Sequence, residues 1–277
     1  DAALLFLGEE SILSGEAHSR ADITLPGNQA DLVKYLHSTG TPIIAVVMAG
    51  RPLALSDIID KVDALLYAWH PGTMGGPAIA DVLFGIESPS GKLPITFPKM
   101  VGQVPIYYAC KNGGRPPSPD LFVHMDDIEP GTPQLETGLS SHHLDAGYTP
   151  MYPFGYGLSY TRFEYSHVEV TPAKPRLGEV VTVKAQVKNA GAVEAEEVVQ
   201  LYLRDLVGSV TRPVRELRGF QRIRLEPGKE RTVTFELAPA AFEFYGQDMK
   251  PRAEAGRFHV WIGGDSEADT GTEFELN

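Results

Sequence analysis

Residues 29–50 read QADLVKYLHSTGTPIIAVVMAG, and the succession of patterns inside them decides the fold. From 29 to 38 apolar residues return at helical spacing, with Leu32, Val33 and Leu36 on one side. Gly40-Thr41-Pro42 stops that pattern. Residues 43–48 are then an unbroken apolar run rich in β-branched side chains, as expected of a strand covered on both faces. Working outward, AALLFL at 2–7 reads as another buried strand and ALLYAW at 64–69 as a third. A short helical turn is expected at 56–59, and Gly75-Gly76-Pro77 leads into a helix at 78–84. This βαβ rhythm predicts a mostly parallel sheet flanked by helices. Ligands gather at the carboxyl ends of such strands, so the loops after Leu7, Met48 and Trp69 are where a site is expected.

From about residue 159 the periodicity changes. Segments 163–170, 180–189, 197–204, 216–224, 230–237 and 256–263 alternate apolar and polar residues, separated by turn-rich stretches such as Glu226-Pro227-Gly228-Lys229. Short strands without helical spacing predict an all-β immunoglobulin-like sandwich of about seven strands. Without paired cysteines, the fibronectin III-like variety fits best. Two domains follow, 1–158 and 159–277, with 99–153 a long loop or linker rich in Gly, Pro, Ser and His. Loops of that length in compact proteins commonly serve function.

Composition narrows the chemistry. The 277 residues carry 24 Lys+Arg against 36 Asp+Glu, a net charge of −12, with no basic cluster. Nucleic acid and anionic membrane are therefore not expected partners, and no apolar stretch approaches the roughly 18 residues of a membrane helix. Cys110 stands alone, which excludes an intrachain disulfide and a thiolate metal cluster. Adjacent His142 and His143 project to opposite sides of an extended segment, so no metal site is expected there. Residues 1–8 (DAALLFLG) lack a basic leader and read as a strand missing whatever preceded it, so the chain is expected to start inside a domain.

Three strings resemble one family. AWHPGTMGG at 68–76, followed by ADVLFG at 80–85 and PSGKLPITFP at 89–98, is similar to the C-terminal α/β sandwich domain of glycoside hydrolase family 3, the β-glucosidase type. YPFGYGLSYT at 152–161 resembles the junction into that family's fibronectin type III-like domain, and RPVRELRGF at 212–220 resembles part of that domain. On residue chemistry alone, the glycines of 72–76 serve tight turns and the aromatics of 154–160 serve packing between domains.

The resemblance implies a retaining exo-acting enzyme that removes terminal β-linked glucose without a cofactor or metal. Its two carboxyl groups would come from different domains: a nucleophilic aspartate from an N-terminal (α/β)8 barrel, and an acid/base glutamate from a loop of the sandwich domain. Such a barrel takes about 250 residues of its own, and nothing in the chain resembles one. The barrel, in the same precursor or as a separate chain, is thus an expected partner, together with β-linked glucosides or oligosaccharides. The family's Gly-Glu…Glu…Leu-Pro pattern matches GEESILSGEAHSRADITLP at 8–26 and implies Glu16 as general acid/base, with Glu9 and Glu10 as the next candidates. By spacing alone the three glutamates are a solvated acidic loop. Arg20 and Asp22 are expected to pair and shape that loop. His18, Tyr107, Lys111 and Arg115 are candidate sugar contacts; Trp69 is either a core aromatic or a stacking platform for sugar. The alternatives are a β-xylosidase of the same family and a non-catalytic carbohydrate-binding or scaffolding module. A periplasmic or secreted location is the family's habit.

Overall fold

The computed structural model describes residues 1–133 and 140–277, which form two compact units. The first comprises Asp1–Ile86, Ile95–Ile106 and Pro117–Tyr152, the second Glu87–Pro94, Tyr107–Pro116 and Pro153–Asn277. The joining region 99–153 is therefore shared out between the units, and its residues 134–139 lie outside the described residues.

In the first unit, β1 (Ala3–Gly8), β2 (Ile43–Met48) and β3 (Ala64–Tyr67) form a parallel sheet in the order β1-β2-β3. The central strand is the continuous apolar run, and its Ile43, Ala45, Val46 and Val47 are fully buried. Each large aliphatic side chain so removed from water contributes roughly 1.5–3 kcal/mol. Helix α1 (Gln29–His37) follows β1 and places Val33 in the core with Leu7, Leu25, Ile43, Leu53 and Ile58. The Asp63 carboxylate accepts a hydrogen bond from Ile43 N at 2.8 Å, tying the start of β2 to the approach to β3.

Helix α2 runs from Gly75 to Leu83, earlier than the periodicity indicates. Pro77 lies in its first turn, where a missing N–H costs nothing, and a side chain on Gly75 would press within 2.7 Å of Pro71. The third strand stops at Tyr67 because Trp69 adopts a φ of 52° and leaves the extended conformation. The helical turn expected at 56–59 is present and runs into a 3-10 turn at Ile59–Lys61.

The second unit is an antiparallel sandwich. One sheet contains β4 (Phe163–Thr171), β5 (Val181–Asn189) and β8 (Glu230–Leu237), in the order β4-β5-β8. The other contains β6 (Ala195–Asp205), β7 (Glu216–Leu225), β11 (Gly256–Gly263) and β12 (Gly271–Leu276), in the order β12-β11-β6-β7. A small hairpin of β9 (Phe244–Tyr245) and β10 (Pro251–Arg252) stands beside them. Alternation works as the pleat requires: Val181, Val183, Ala185 and Val187 point into one core with Val199, Leu201, Val233, Val260 and Ile262. Asn189, fully buried, has its amide satisfied on both sides, accepting from Thr161 Oγ1 and Gly191 N and donating to the Val193 and Leu225 carbonyls. Strand β12 escapes the sequence reading because Phe274 and Leu276 are its only large apolar residues.

Two of the glycine-rich strings interlock in this unit. Leu93 N donates to Tyr156 O and Gly155 N to Leu93 O, both at 2.8 Å. A Cβ on Gly157 would meet Gly91 O at 2.2 Å, so the backbones pass closer than any side chain permits. Phe154 stacks on Tyr108 with ring centroids 4.3 Å apart.

Candidate active site

Because the three strands of the first unit are parallel, the loops after Gly8, Met48 and Tyr67 leave from one edge of the sheet. The loop after β1 starts under tight control. Gly8 has a φ of +129°, and a Cβ there would lie 1.9 Å from Met48 O. Gln29, the first residue of α1, clamps the same residue by accepting from Gly8 N at 2.7 Å and donating to Gly8 O at 2.8 Å. Glu9 N then donates to Met48 O at 2.9 Å.

The side chain of Glu9 turns inward and is 0% exposed. Arg20 Nη1 holds one carboxylate oxygen at 2.5 Å and Arg51 Nε holds the other at 3.1 Å. A buried carboxylate requires such partners, since stripping its water is costly. Arg20 also donates to Thr24 O at 2.9 Å. It pairs with Glu9 and not with Asp22: the Asp22 carboxylate instead accepts from Thr24 N at 2.9 Å and Thr24 Oγ1 at 2.8 Å, which holds it below the usual aspartate range.

Beyond Glu9 the loop turns outward. Glu10 is exposed and precedes a 3-10 turn at Ser11–Leu13. Glu16 is exposed at the tip of a tight turn closed by His18 N donating to Gly15 O at 3.1 Å. Ala17 in that turn has a φ of 62°, a conformation that costs a non-glycine residue about 1–2 kcal/mol. Among the described residues, no side chain pairs with the Glu16 carboxylate. His18 is exposed, and its carbonyl accepts from Arg51 Nη2 at 3.0 Å.

The other two loops meet this one. Ser14 Oγ lies 3.3 Å from His70 Nε2, just past β3. Gly50, just past β2, leaves room for both: a Cβ there would come within 2.0 Å of Ser14 Oγ and 2.7 Å of His70 Nε2. Trp69 is half-buried, edge-on to Tyr67 at 4.8 Å and to Phe97 at 5.8 Å. Tyr67 is raised well above the usual phenol range, mainly by burial, and its hydroxyl donates to the Arg51 carbonyl.

The structure thus gathers Glu9, Glu10, Glu16, His18 and Trp69 onto the loops of one sheet edge. Tyr107, Lys111 and Arg115 are exposed and belong to the second unit, where Lys111 bridges to Pro213. Sequence reasoning did not single out Arg51, Gln29 or the Ser14–His70 contact. An arginine in the loop after the buried central strand, with glutamates in the loop after the first strand, was the available signal. His143 exchanges backbone hydrogen bonds with Gly147, while His142 Nδ1 lies 2.9 Å from Ser140 Oγ and its ring packs edge-on against Phe122.

Comparison with known proteins agrees with this fold. The glycosyl hydrolase family 3 C-terminal domain matches residues 1–160, and a fibronectin type III-like domain matches 197–266. The chain is 45% identical over its whole length to a "Periplasmic beta-glucosidase" of Salmonella typhimurium, of which it covers 34%, and 38% identical over 97% of its length to a "Beta-xylosidase" of Formosa agariphila, of which it also covers 34%. The chain therefore spans about a third of these relatives' length. The crystal structure of a β-glucosidase from Listeria innocua in complex with glucose superposes on the whole chain with a TM-score of 0.91 at 39% identity, 36% of that chain being covered. This chain belongs to glycoside hydrolase family 3, as its C-terminal domain followed by a fibronectin type III-like domain.

Proposed function

We propose that this chain is the C-terminal portion of a retaining exo-β-glucosidase and that Glu16 is its general acid/base. The carrying observation is the contrast between two glutamates of one loop. Glu9 is buried with both oxygens engaged by guanidinium groups, whereas Glu16 stands exposed, without a side-chain partner among the described residues, at the carboxyl edge of a parallel sheet. Glu9 anchors the loop and Glu16 is free to meet a substrate.

In this reading an aspartate of an (α/β)8 barrel, outside this chain, attacks the anomeric carbon while Glu16 gives its proton to the departing glycosidic oxygen. The glycosyl–aspartate ester is then opened by water, whose proton Glu16 takes back. The two carboxyl groups must face each other across the bond at about 5–5.5 Å. Hydrolysis accordingly needs the barrel, in the same precursor or as a separate chain. His18 and Trp69, on the same loops as Glu16, are the first unit's candidates for contact with the sugar or its aglycone. Tyr107, Lys111 and Arg115 are the second unit's. The Salmonella relative's name supports a periplasmic location.

The test is an aryl-β-glucoside assay of the polypeptide joined to its barrel. In Glu16→Ala, kcat/KM for a poor leaving group should drop by about 100-fold or more. With dinitrophenyl β-glucoside, whose leaving group departs without an acid, azide needs no base to attack the glycosyl–enzyme and should restore turnover and yield the β-glycosyl azide. Full activity in Glu16→Ala would remove the assignment and direct attention to Glu10. A β-xyloside hydrolysed faster than the matching glucoside would move the enzyme to the β-xylosidase reading, which the Formosa relatives' names support. Inactivity with the barrel present would favour a non-catalytic carbohydrate-binding module.

A further inference from the structure

We propose that Arg51 is a positioning residue that fixes the turn carrying Glu16. The proposal rests on reading Glu16 as the acid/base. A turn at the tip of an exposed loop has little to hold it. Within it there is the His18 N to Gly15 O bond; before it Ser14 N donates to Ser11 O at 3.3 Å and Ser14 Oγ lies 3.3 Å from His70 Nε2. Arg51 supplies what is missing. Its Nη2 donates both to the Leu13 carbonyl and to the His18 carbonyl, at 3.0 Å for the latter. Those carbonyls flank residues 14–17, so one nitrogen draws together both ends of the segment whose apex is Glu16. The Nε of the same guanidinium holds Glu9, at the root of the loop.

Arg51 can act as a fixed point because it is itself held. Its side chain is 18% exposed, and its carbonyl accepts from the Tyr67 hydroxyl. Leu53 N donates to that hydroxyl at 3.3 Å, and the Tyr67 ring is wedged edge-on between Trp69 and Phe97. The clamp thus runs from the aromatic cluster at the end of β3, through the loop after β2, to the loop after β1. A planar fork with several donors suits three acceptors in different directions. A lysine ammonium, one compact point charge, reaches them less well.

A residue that places an acid differs from one that merely supports the fold in which reactions it slows. Proton donation matters for a poor leaving group and hardly at all for dinitrophenolate, which departs unprotonated. The experiment uses the enzyme complete with its barrel and the variant Arg51→Lys, which keeps a cation beside Glu9 and so protects the fold. Arg51→Ala is made alongside. We expect Arg51→Lys to lower kcat/KM for an alkyl β-glucoside by about 100-fold and for dinitrophenyl β-glucoside by less than about threefold, since a displacement of about 1 Å costs that much in a step that needs the acid. Combined with Glu16→Ala, it should cost little more than Glu16→Ala alone. Equal losses on both substrates, or losses that multiply in the double variant, would overturn the proposal.

Amide hydrogen exchange over residues 10–20 separates the two readings. Faster exchange confined to that segment in Arg51→Lys, with Glu16→Ala fully active, keeps the clamp and removes its catalytic purpose: the acid/base assignment falls, and the positioning role with it. Unchanged exchange in both Arg51 variants removes the clamp, whatever Glu16 does.

Discussion

Lys92 Nζ stands 2.9 Å from Glu197 Oε1, with the two side chains 13% and 6% exposed, inside the second unit. The ammonium also donates to Gly157 O at 2.9 Å, and the Tyr165 hydroxyl donates to the same Glu197 oxygen at 2.9 Å. The lysine comes from the PSGKLPITFP string and the glutamate from β6. An ion pair so far out of water stabilises little in itself, but removing one member strands the other.

Lys92→Met should therefore cost about 3–5 kcal/mol, read by urea denaturation through Trp261. The chain has two tryptophans, Trp69 in the first unit and Trp261 in the second, so each reports its own unit. Burial pushes the Glu197 carboxyl up against the pull of Lys92. A carboxyl with a raised folded-state pKa adds stability that is complete below its unfolded value of about 4.3 and is lost as pH climbs through the folded value. Without Lys92 that pKa rises further. Lys92→Met should thus lose more stability near pH 8 than near pH 5, and adding Glu197→Gln should recover most of the loss and flatten the pH dependence.

Gly8→Ala should destabilise the first unit by about 3 kcal/mol, combining a left-handed backbone with a collision against the Met48 carbonyl. The Trp69 transition should move to lower urea while the Trp261 transition stays in place. Equal movement of both would show that the damage is not confined to the sheet edge.

Arg212 lies over the Phe244 ring at 4.4 Å, 3.0 Å from Glu216 and 3.7 Å from Asp205, whose carboxyl burial pushes above the usual range. Arg212→Lys keeps the charge but cannot stack and fork at once, and should cost about 1–3 kcal/mol in the Trp261 transition. An unaltered midpoint would mean the cluster contributes nothing beyond its charge.

Gly50→Ala tests the meeting of the three loops. The new methyl displaces Ser14 and His70, which are movable side chains, so the Trp69 transition should shift little. If the β1 loop carries the acid/base, kcat/KM of the barrel-containing enzyme should nonetheless fall about tenfold or more. A fall in stability without a fall in activity would place the chemistry elsewhere.

Elements were legible in the sequence because their signals are local. The apolar run of β2 and the alternation of β8 and β11 mark their own boundaries, as the pleat imposes its period on neighbouring residues. The onset of α2 is not marked in the sequence because Gly75 and Gly76 are poor helix formers; at Gly75 any side chain would collide with Pro71.

What the residues determined alone is thus the βαβ order, the change to an antiparallel sandwich of about seven strands, and a sheet edge whose first loop bears three glutamates. Which glutamate is buried was beyond reach, because Glu9, Glu10 and Glu16 are chemically identical and burial is a property of the folded chain. The tertiary structure decided it by bringing Arg51 across from the loop after β2 to meet Glu9, Leu13 and His18. In the same way it drew Glu87–Pro94 into the second unit, where Lys92 finds Glu197. Both pairings join residues distant in the chain, and no periodic signal records them: only the packed core sets which loops come to lie side by side.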